Sequence, residues 1–491
     1  MNTMNPADAT LSIDEQINSW FSPISDAVAS VVFYSVPVYE QDILLILVWL
    51  ACASLFFTLY LGFANIRFFK HAIQILFKKD DDDSTKGEGQ ISRFQAFATS
   101  LSGTVGLGNI AGVAVAISIG GPGAAFWMFL MGFFGMSTKF SEVMLGVKYR
   151  QHTDPTRPEK VSGGPMYYLK VGFDRTGIPY LGTIMGGFFA VCTAIGTLGA
   201  GSLFQTNQMV QQTVIITGGD ASFFAQREWM IGLIVTVLVA AVILGGIRSI
   251  GAVAGRLVPL MALVYVGSAA VVLAMHASAV PGALLVILTS AFSVEAGIGG
   301  LIGAIFQGIK RSSFSNEAGV GTAAIAHAAA QTDKPVEQGL VGMLGPFIDT
   351  VCICTMTALV IIVTGAYDTG GAAIEGVELT SRAFEQGGAI FPYILFLVVA
   401  LFAYSTLISW SYYGVKAFTY LFGDNKKAEY VYKSIFCSFI IVGASSDLSS
   451  VVDFTDAVVL GMGIPNIIGL YLFAPEIKRE LKAYASSLKS S

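Results

Sequence analysis

The chain has 491 residues, of which 54% are hydrophobic and only 12% charged. Soluble domains carry about twice that charge, so the composition excludes a water-soluble globular enzyme and implies a chain that crosses a bilayer many times. The net charge of −5 says little about partners, because in such a chain the sign is distributed by topology.

Residues 1–40 carry no Lys or Arg, and an amphipathic stretch from Ile13 to Tyr34 reads as an interfacial helix or short re-entrant segment on the outer side. No basic n-region precedes an apolar core, so a cleavable signal peptide is not expected. An extra transmembrane helix is predicted within 41–69, about Asp42–Phe69. A loop from Lys70 to Gln90 follows, and its run Asp80–Asp83 reads as solvated. The second span, Ser92–Ile119, has helical length but carries Gly103, Gly106, Gly108 and Gly112 at its centre, with Ser102, Thr104 and Asn109 among them. Glycine weakens a helix, so this segment reads either as a discontinuous helix lining a site or as a close helix–helix packing face of small residues. The spans Ala124–Val147, Leu181–Gln212, Trp229–Ile247 and Leu257–Met275 complete the first half, with a long polar loop at 148–178. The second half is predicted as Ala283–Gly308, Val336–Thr364, Ala389–Tyr413, Tyr430–Val442 and Val452–Phe473, followed by a tail at 474–491.

Charge tests this count. With an outer N-terminus and a cytoplasmic C-terminus, the segments 67–93, 148–175, 248–256, 310–334, 416–433 and 478–489 hold 25 of the 28 Lys and Arg residues. That is the excess expected of cytoplasmic loops, and it supports eleven spans. It also places Lys310 and Arg311 at the inner surface, which makes Ser312–Ala328 an inner loop or interfacial helix.

Spans two and seven are both long and both interrupted by glycines, the seventh at Ser293–Gly300. Five spans separate them, so they cross in opposite directions. Paired broken helices in two five-helix halves, 92–276 and 283–473, point to an inverted-repeat transporter with its site between the breaks. The stretches SLSGTVGLGNIA and SSFSNEAGVGTAAIA look alike, but the charge count puts them at different depths, so the likeness is expected to be coincidental.

No basic residue is expected near the midplane, and Lys139 and Glu142 read as a structural ion pair. An anionic group would therefore meet backbone amides of the half-helix starting near Gly108. Carbonyls near Ser102 and Gly103 suit a small hard cation, with sodium the natural choice. Ser405, Thr406, Ser409, Trp410 and Tyr412 of the ninth span offer matching polar groups. A stripe of Gln205, Gln208 and Gln212 in the fourth span must face protein or a cavity. Glu295, Gly297 and Asp349 are candidates for gating or coupling, with Asp349 read more readily as a structural residue and Glu295 left open. The five cysteines lie in apolar runs, the four histidines form no ligand cluster, and no P-loop is present. No cofactor, ATP or nucleic acid is expected, and the lipid bilayer is the surrounding partner.

GTVGLGNIAGVAVAI, Gly120–Gly135, SGGPMYYL, FSNEAGVGTAAIAHAAA and STLISWSYYG, in that order, resemble the sodium:alanine/glycine symporters, also called the alanine or glycine:cation symporter family. Phe129 stands where many members have Trp. The resemblance runs from about residue 40 to 475. It implies an all-α polytopic protein with a LeuT-like five-plus-five inverted repeat and one extra N-terminal helix. It also implies sodium-coupled uptake of a small neutral amino acid, alanine or glycine, across the cell membrane by alternating access. The substrate residues carried over by motif are Thr104, Gly108, Asn109, Gln205, Thr406 and Trp410, and sodium would lie among Ser102, Gly103, Ser405 and Thr406. A proton-coupled or glutamine-type transporter on the same scaffold is the alternative, and a channel or an intramembrane enzyme is disfavoured.

Overall fold

Apolar runs placed in lipid must satisfy their own amides and carbonyls, and this chain does so with helices. The computed structural model describes residues 12–32, 35–38, 41–78, 88–153, 159–293, 297–368 and 376–490. Strands are confined there to two short antiparallel ladders, Ser35–Val38 with Gln41–Leu44 and Gln151–His152 with Val161–Ser162. Among the described residues, five helices are long and apolar enough to cross a membrane: Leu181–Ile216, Gly246–Met275, Pro335–Val363, Phe391–Phe422 and Leu448–Leu488. A sixth span arises if Arg93–Thr104 and Leu107–Gly120, bent by 54°, are taken together. Leu45–Tyr60, Glu228–Ile243 and Ala277–Ala291 are shorter apolar helices. Val237, Leu260 and Leu263 stand exposed in mid-helix, which suits lipid and not water.

Several elements differ from the sequence expectation. The first apolar helix covers only Leu45–Tyr60, because Gly62 and Phe63 take positive φ (64° and 55°) and break it before Ala64–Arg67. The supposed loop at 148–178 contains a helix, Pro165–Asp174. Gly164 turns the chain at φ 122°, Pro165 starts the first turn, and Met166, Tyr168 and Leu169 are buried. The sixth span begins earlier than expected, at Gly246, and runs through Pro259.

The largest departure concerns the seventh span. A helix ends at Ala291 and another starts at Gly297, so the interruption at Ser293–Gly300 exists as a junction between helices. Glu295 lies outside the described residues. The second helix does not stop before Lys310: it continues to Asn316, with Arg311 only 1% exposed. The chain then breaks at Glu317, Gly319 and Gly321, with φ of 54°, 90° and 95°, and resumes as the buried helix Thr322–Ala328. Ser312–Ala328 is therefore neither an inner loop nor an interfacial helix but part of the core.

These two half-helices lie antiparallel to those of the second span. At one end the Gln90 N–H donates to the Ala329 carbonyl (2.8 Å) and the Gln331 N–H to the Ile91 carbonyl (2.9 Å). At the other end a Cβ on Gly120 would sit 3.3 Å from Ala304 Cα. The break that pairs with the one at Val105–Gly106 is thus Glu317–Gly321, with Gly108 and Asn109 meeting Phe314 and Ser315 just before it. Gly297 starts its helix 18 residues before Ser315, about 27 Å away along the axis at helical rise. The likeness between SLSGTVGLGNIA and SSFSNEAGVGTAAIA is the signature of two breaks lying side by side, and the reading of it as coincidence is corrected. The charge count misled because Lys310 and Arg311 are paired inside the protein, both to Asp456, and do not mark a surface.

Candidate functional site

The first half-helix, Arg93–Thr104, is capped by Ser92, whose side chain accepts from the Gln95 N–H while Gln95 returns the bond. It ends at Val105 and leaves its last carbonyls without helical partners. The next helical piece is a short 3-10 turn, Leu107–Asn109, before Ala111–Gly120. Between them Gly106 is extended, and a Cβ there would lie 3.0 Å from Gln205 Oε1 and closer still to Thr406 Oγ1. Glycine is required at 106 by this close approach.

The ninth-span helix, Phe391–Phe422, takes up the freed carbonyls. Thr406 Oγ1 donates to the Ser102 carbonyl (3.0 Å) and Trp410 Nε1 to the Gly103 carbonyl (2.9 Å). Ser102 Oγ donates to the Ser405 carbonyl (2.6 Å) and accepts from Ser409 Oγ (2.9 Å). Ser405 Oγ itself donates to the Phe402 carbonyl (3.0 Å). All these side chains are buried. Trp410 lies against Gly201 in a π turn, Gly199–Leu203, of the fourth span.

That span supplies the other partner. Gln205 Oε1 accepts from the Leu107 N–H (3.0 Å) and Gln205 Nε2 donates to the Ala200 carbonyl (2.9 Å). The rest of the glutamine stripe faces protein: Gln208 Oε1 accepts from the Val377 N–H (2.9 Å) and Gln212 Nε2 donates to Ser381 Oγ (3.3 Å).

Asn109 ties the two breaks together. Its Oδ1 accepts from the Gly106 N–H (3.0 Å), and its Nδ2 donates to Ser315 Oγ (3.1 Å) and to the Asp349 carbonyl (3.0 Å). Gly108 packs against Phe314 and Ser315. Thr104 is buried, and its Oγ1 donates to the Leu101 carbonyl (3.3 Å). Asp349 sits in a second π turn, Phe347–Cys354, where its Oδ1 accepts from Ser315 Oγ (3.1 Å) and from Thr350, while its buried Oδ2 has no hydrogen-bond partner.

Of the residues expected at the site, Ser102, Gly103, Thr104, Gly108, Asn109, Gln205, Ser405, Thr406 and Trp410 come together, and Asp349 joins them. Gly297 does not. Sequence reasoning missed Ser315, Glu317 and Arg311. The available signal was the shared spacing Ser-x-x-x-Gly-x-Gly, at Ser102–Gly108 and again at Ser315–Gly321. Lys139 and Glu142 form the expected ion pair, with Nζ 3.8 Å from Glu142 Oε2, and the same ammonium donates to the Glu317 carbonyl (2.9 Å).

Two cavities flank this core. One of about 540 Å³ is lined by Ser411, Tyr412, Lys416, Lys160, Arg248 and Asp424. The other, of about 610 Å³, is lined by Ile215, Thr364, Ser381, Arg382 and Glu385. No group of three His, Cys, Asp or Glu side chains that could hold a metal occurs among the described residues.

Residues 27–491 match the sodium:alanine symporter family. The chain belongs to that family. The symporter is 42% identical over 440 residues to the sodium/alanine symporter AgcS of Methanococcus maripaludis, which covers 89% of this chain and 93% of AgcS. It is 33% identical over 448 residues to GlnT of Bacillus subtilis, described as a probable sodium/glutamine symporter, over 91% of this chain and 89% of GlnT. Among solved structures, MhsT in complex with L-phenylalanine matches with a TM-score of 0.54 at 15% identity, over 81% of this chain and 99% of MhsT. That likeness concerns the LeuT-like fold alone. The symporter is a multi-pass membrane protein that moves amino acids with a cation, and it is not an enzyme.

Proposed function

We propose that the chain couples sodium influx to uptake of alanine or glycine by alternating access, across the cell membrane. The carrying observation is the break at Val105–Gly106, whose freed carbonyls and amide are each met by a side chain from the fourth or ninth span. Such contacts can be exchanged for a ligand without leaving backbone groups bare in lipid. Sodium would take oxygens of Ser102, Gly103, Ser405 and Thr406. The amino-acid carboxylate would take the first amides of the second half-helix, near Leu107 and Gly108, where no preceding turn accepts them. Gln205 and Trp410 would bound the substrate. Thr406 and Gln205 crowd Gly106, and Trp410 covers Gly201, which favours a small side chain over a glutamine-sized one.

The proposed architecture is eleven spans in two inverted five-helix repeats, with one extra N-terminal helix, the N-terminus outside and the C-terminus in the cytoplasm. The antiparallel pairing of the two broken helices supports it. In this orientation the Lys160–Lys416 cavity opens inward and the Ser381–Arg382 cavity outward, one for each side of the cycle. The two ligands favour the same closed state, so each tightens the other.

The test is uptake of labelled alanine into proteoliposomes under imposed sodium or proton gradients, with glycine and glutamine as competitors. Uptake driven by sodium and blocked by glycine supports the reading. Alanine uptake indifferent to sodium overturns it.

A further inference from the structure

The cavity of about 540 Å³ carries more positive charge than its own carboxylates answer. It lies among the turn that joins Glu228–Ile243 to Gly246–Met275, the end of Phe391–Phe422 and the start of the helix Lys426–Ala444. Three of its basic side chains have a carboxylate partner. Lys160 Nζ is 3.1 Å from Asp424 Oδ2, Arg248 is 3.7 Å from Glu159 Oε1, and Lys433 Nζ is 3.8 Å from Glu429 Oε2. Lys416 and Lys426 line the same cavity and make no ion pair within 4.0 Å among the described residues. The three acids are already engaged, so two ammonium groups are left without a counter-charge.

Lys416 is the informative one. It is only 7% exposed, and its ammonium donates to Ser162 Oγ (2.7 Å) and lies 5.7 Å from the centre of the Tyr412 ring. Asp424 and Glu429 act on it only from beyond ion-pair distance, and Lys160 opposes them. A hydroxyl and a ring face orient an ammonium but do not neutralise it. Ser162 takes one of its three N–H donors, which leaves two for a ligand. A charge held out of water in this way is costly unless an anion meets it.

The rim of the cavity says which kind of anion. Leu244 and Tyr430 line it and are 56% and 53% exposed. Beyond them Val237 and Leu238 stand exposed on one helix, and Val431 and Ile435 on the other. In a chain that crosses the bilayer these side chains face lipid. The charged cavity is therefore continuous with the lipid-facing surface, with a tyrosine at the boundary, where tyrosine favours the level of the headgroups. A halide ion would leave most of the space unfilled, and a free phosphate would make no use of the apolar rim. A phosphodiester that carries acyl chains uses both.

We propose that this cavity binds the phosphate headgroup of an anionic phospholipid, with Lys416 as the buried anchor and Lys426 as an exposed second contact. The acyl chains then lie along Leu244 and Tyr430. In the orientation proposed above the lipid belongs to the cytoplasmic leaflet, but the binding rests neither on that orientation nor on the sodium–alanine reading.

Purified symporter in detergent is titrated with phosphatidylglycerol, with zwitterionic phosphatidylcholine and with inorganic phosphate. Bound lipid is counted by native mass spectrometry and the unfolding temperature is followed. The expected result is saturable binding and a raised unfolding temperature with phosphatidylglycerol alone. Lys416→Gln keeps a donor for Ser162 but removes the charge, and it should weaken this binding about fivefold to tenfold, with Lys426→Gln weakening it less. Lys427→Gln, on the same helix but outside the cavity, should bind as the wild type does. Equal binding of the two lipids overturns the proposal, as does wild-type affinity in Lys416→Gln or an equal loss in Lys427→Gln. Inorganic phosphate that stabilises the protein as well as phosphatidylglycerol does would make the site one for a free anion, and this also overturns the lipid assignment. The comparison of the two lipids on the wild type needs no variant, so a poorly folded substitution does not decide the matter. Sodium-driven alanine uptake stands or falls separately from every one of these results.

Discussion

Asn109 Nδ2 stands 3.1 Å from Ser315 Oγ, and this one hydrogen bond joins the two breaks of the core. The same amide group reaches the Asp349 carbonyl, and its oxygen caps the Gly106 N–H. Asn109→Ala removes all three contacts and leaves the buried Gly106 amide with only the Thr104 carbonyl as acceptor. A stability loss of roughly 2–3 kcal/mol is expected, read as a lower unfolding temperature in detergent. Sodium-driven uptake should fall while membrane insertion persists. Wild-type uptake by both Asn109→Ala and Trp410→Ala would remove the site assignment.

Trp410 separates packing from hydrogen bonding. Trp410→Phe keeps a ring over Gly201 but leaves the Gly103 carbonyl without the indole donor. About 1–3 kcal/mol is expected for that buried acceptor, whereas Trp410→Ala also opens a cavity and should cost about 3–5 kcal/mol. Equal unfolding temperatures for the two variants would show that the hydrogen bond, and not the ring, carries the effect.

Gly106→Ala would bring a methyl group into Thr406 Oγ1 and Gln205 Oε1. The expected outcome is a marked loss of sodium-dependent uptake. Thr406→Ala, which removes the hydroxyl carrying the tighter contact, should restore part of the stability but not the transport. The comparison is made by thermal unfolding and uptake on the single and double variants.

Arg311 is buried with Asp456 as its carboxylate partner. Asp456→Asn removes the carboxylate that Arg311 and Lys310 both contact and leaves them the weaker field of Asp453. Breaking one side of a buried pair costs about 3–5 kcal/mol, so low yield or a sharply lowered unfolding temperature is expected. A neutral effect would mean that the charge reaches solvent.

Acid should loosen the end of the last helix. Burial pushes the Glu476 carboxyl up, but hydrogen bonds from Lys148, Tyr149 and Arg175 outweigh it and hold it down, at about 2 against an ordinary 4.5. A depressed carboxyl contributes stability that is full above 4.5 and is lost as the pH falls toward 2. Glu476→Gln should therefore unfold at a lower temperature than wild type at neutral pH, and the gap should close as the medium is acidified through that window. A gap that stays constant down to the lowest pH would remove the ion-pair account.

Much of this was legible in residue order. The broken second span, the glutamine stripe and the hydroxyls of the ninth span were readable because lipid makes polar side chains conspicuous. The second break was misplaced because Lys310 and Arg311 look like a surface marker. Only tertiary pairing with Asp456, more than a hundred residues on, reveals that they are buried. The Pro165–Asp174 helix was missed because glycines and a proline open it, and its apolar residues face the protein, not lipid.

The wide turns at Gly199–Leu203 and Phe347–Cys354 have a consequence for what the gene can tolerate. Each holds one residue more than an α-turn would and absorbs it locally, so the helix beyond keeps its face. Deleting a single residue in the wide turn of the fourth span closes it to an α-turn and leaves Gln205 on the side of the Leu107 N–H, whereas the same loss in a helix with no wide turn rotates everything beyond it by about 100°. The wide turns are thus the places along these helices where a one-codon loss does least to which face meets the substrate.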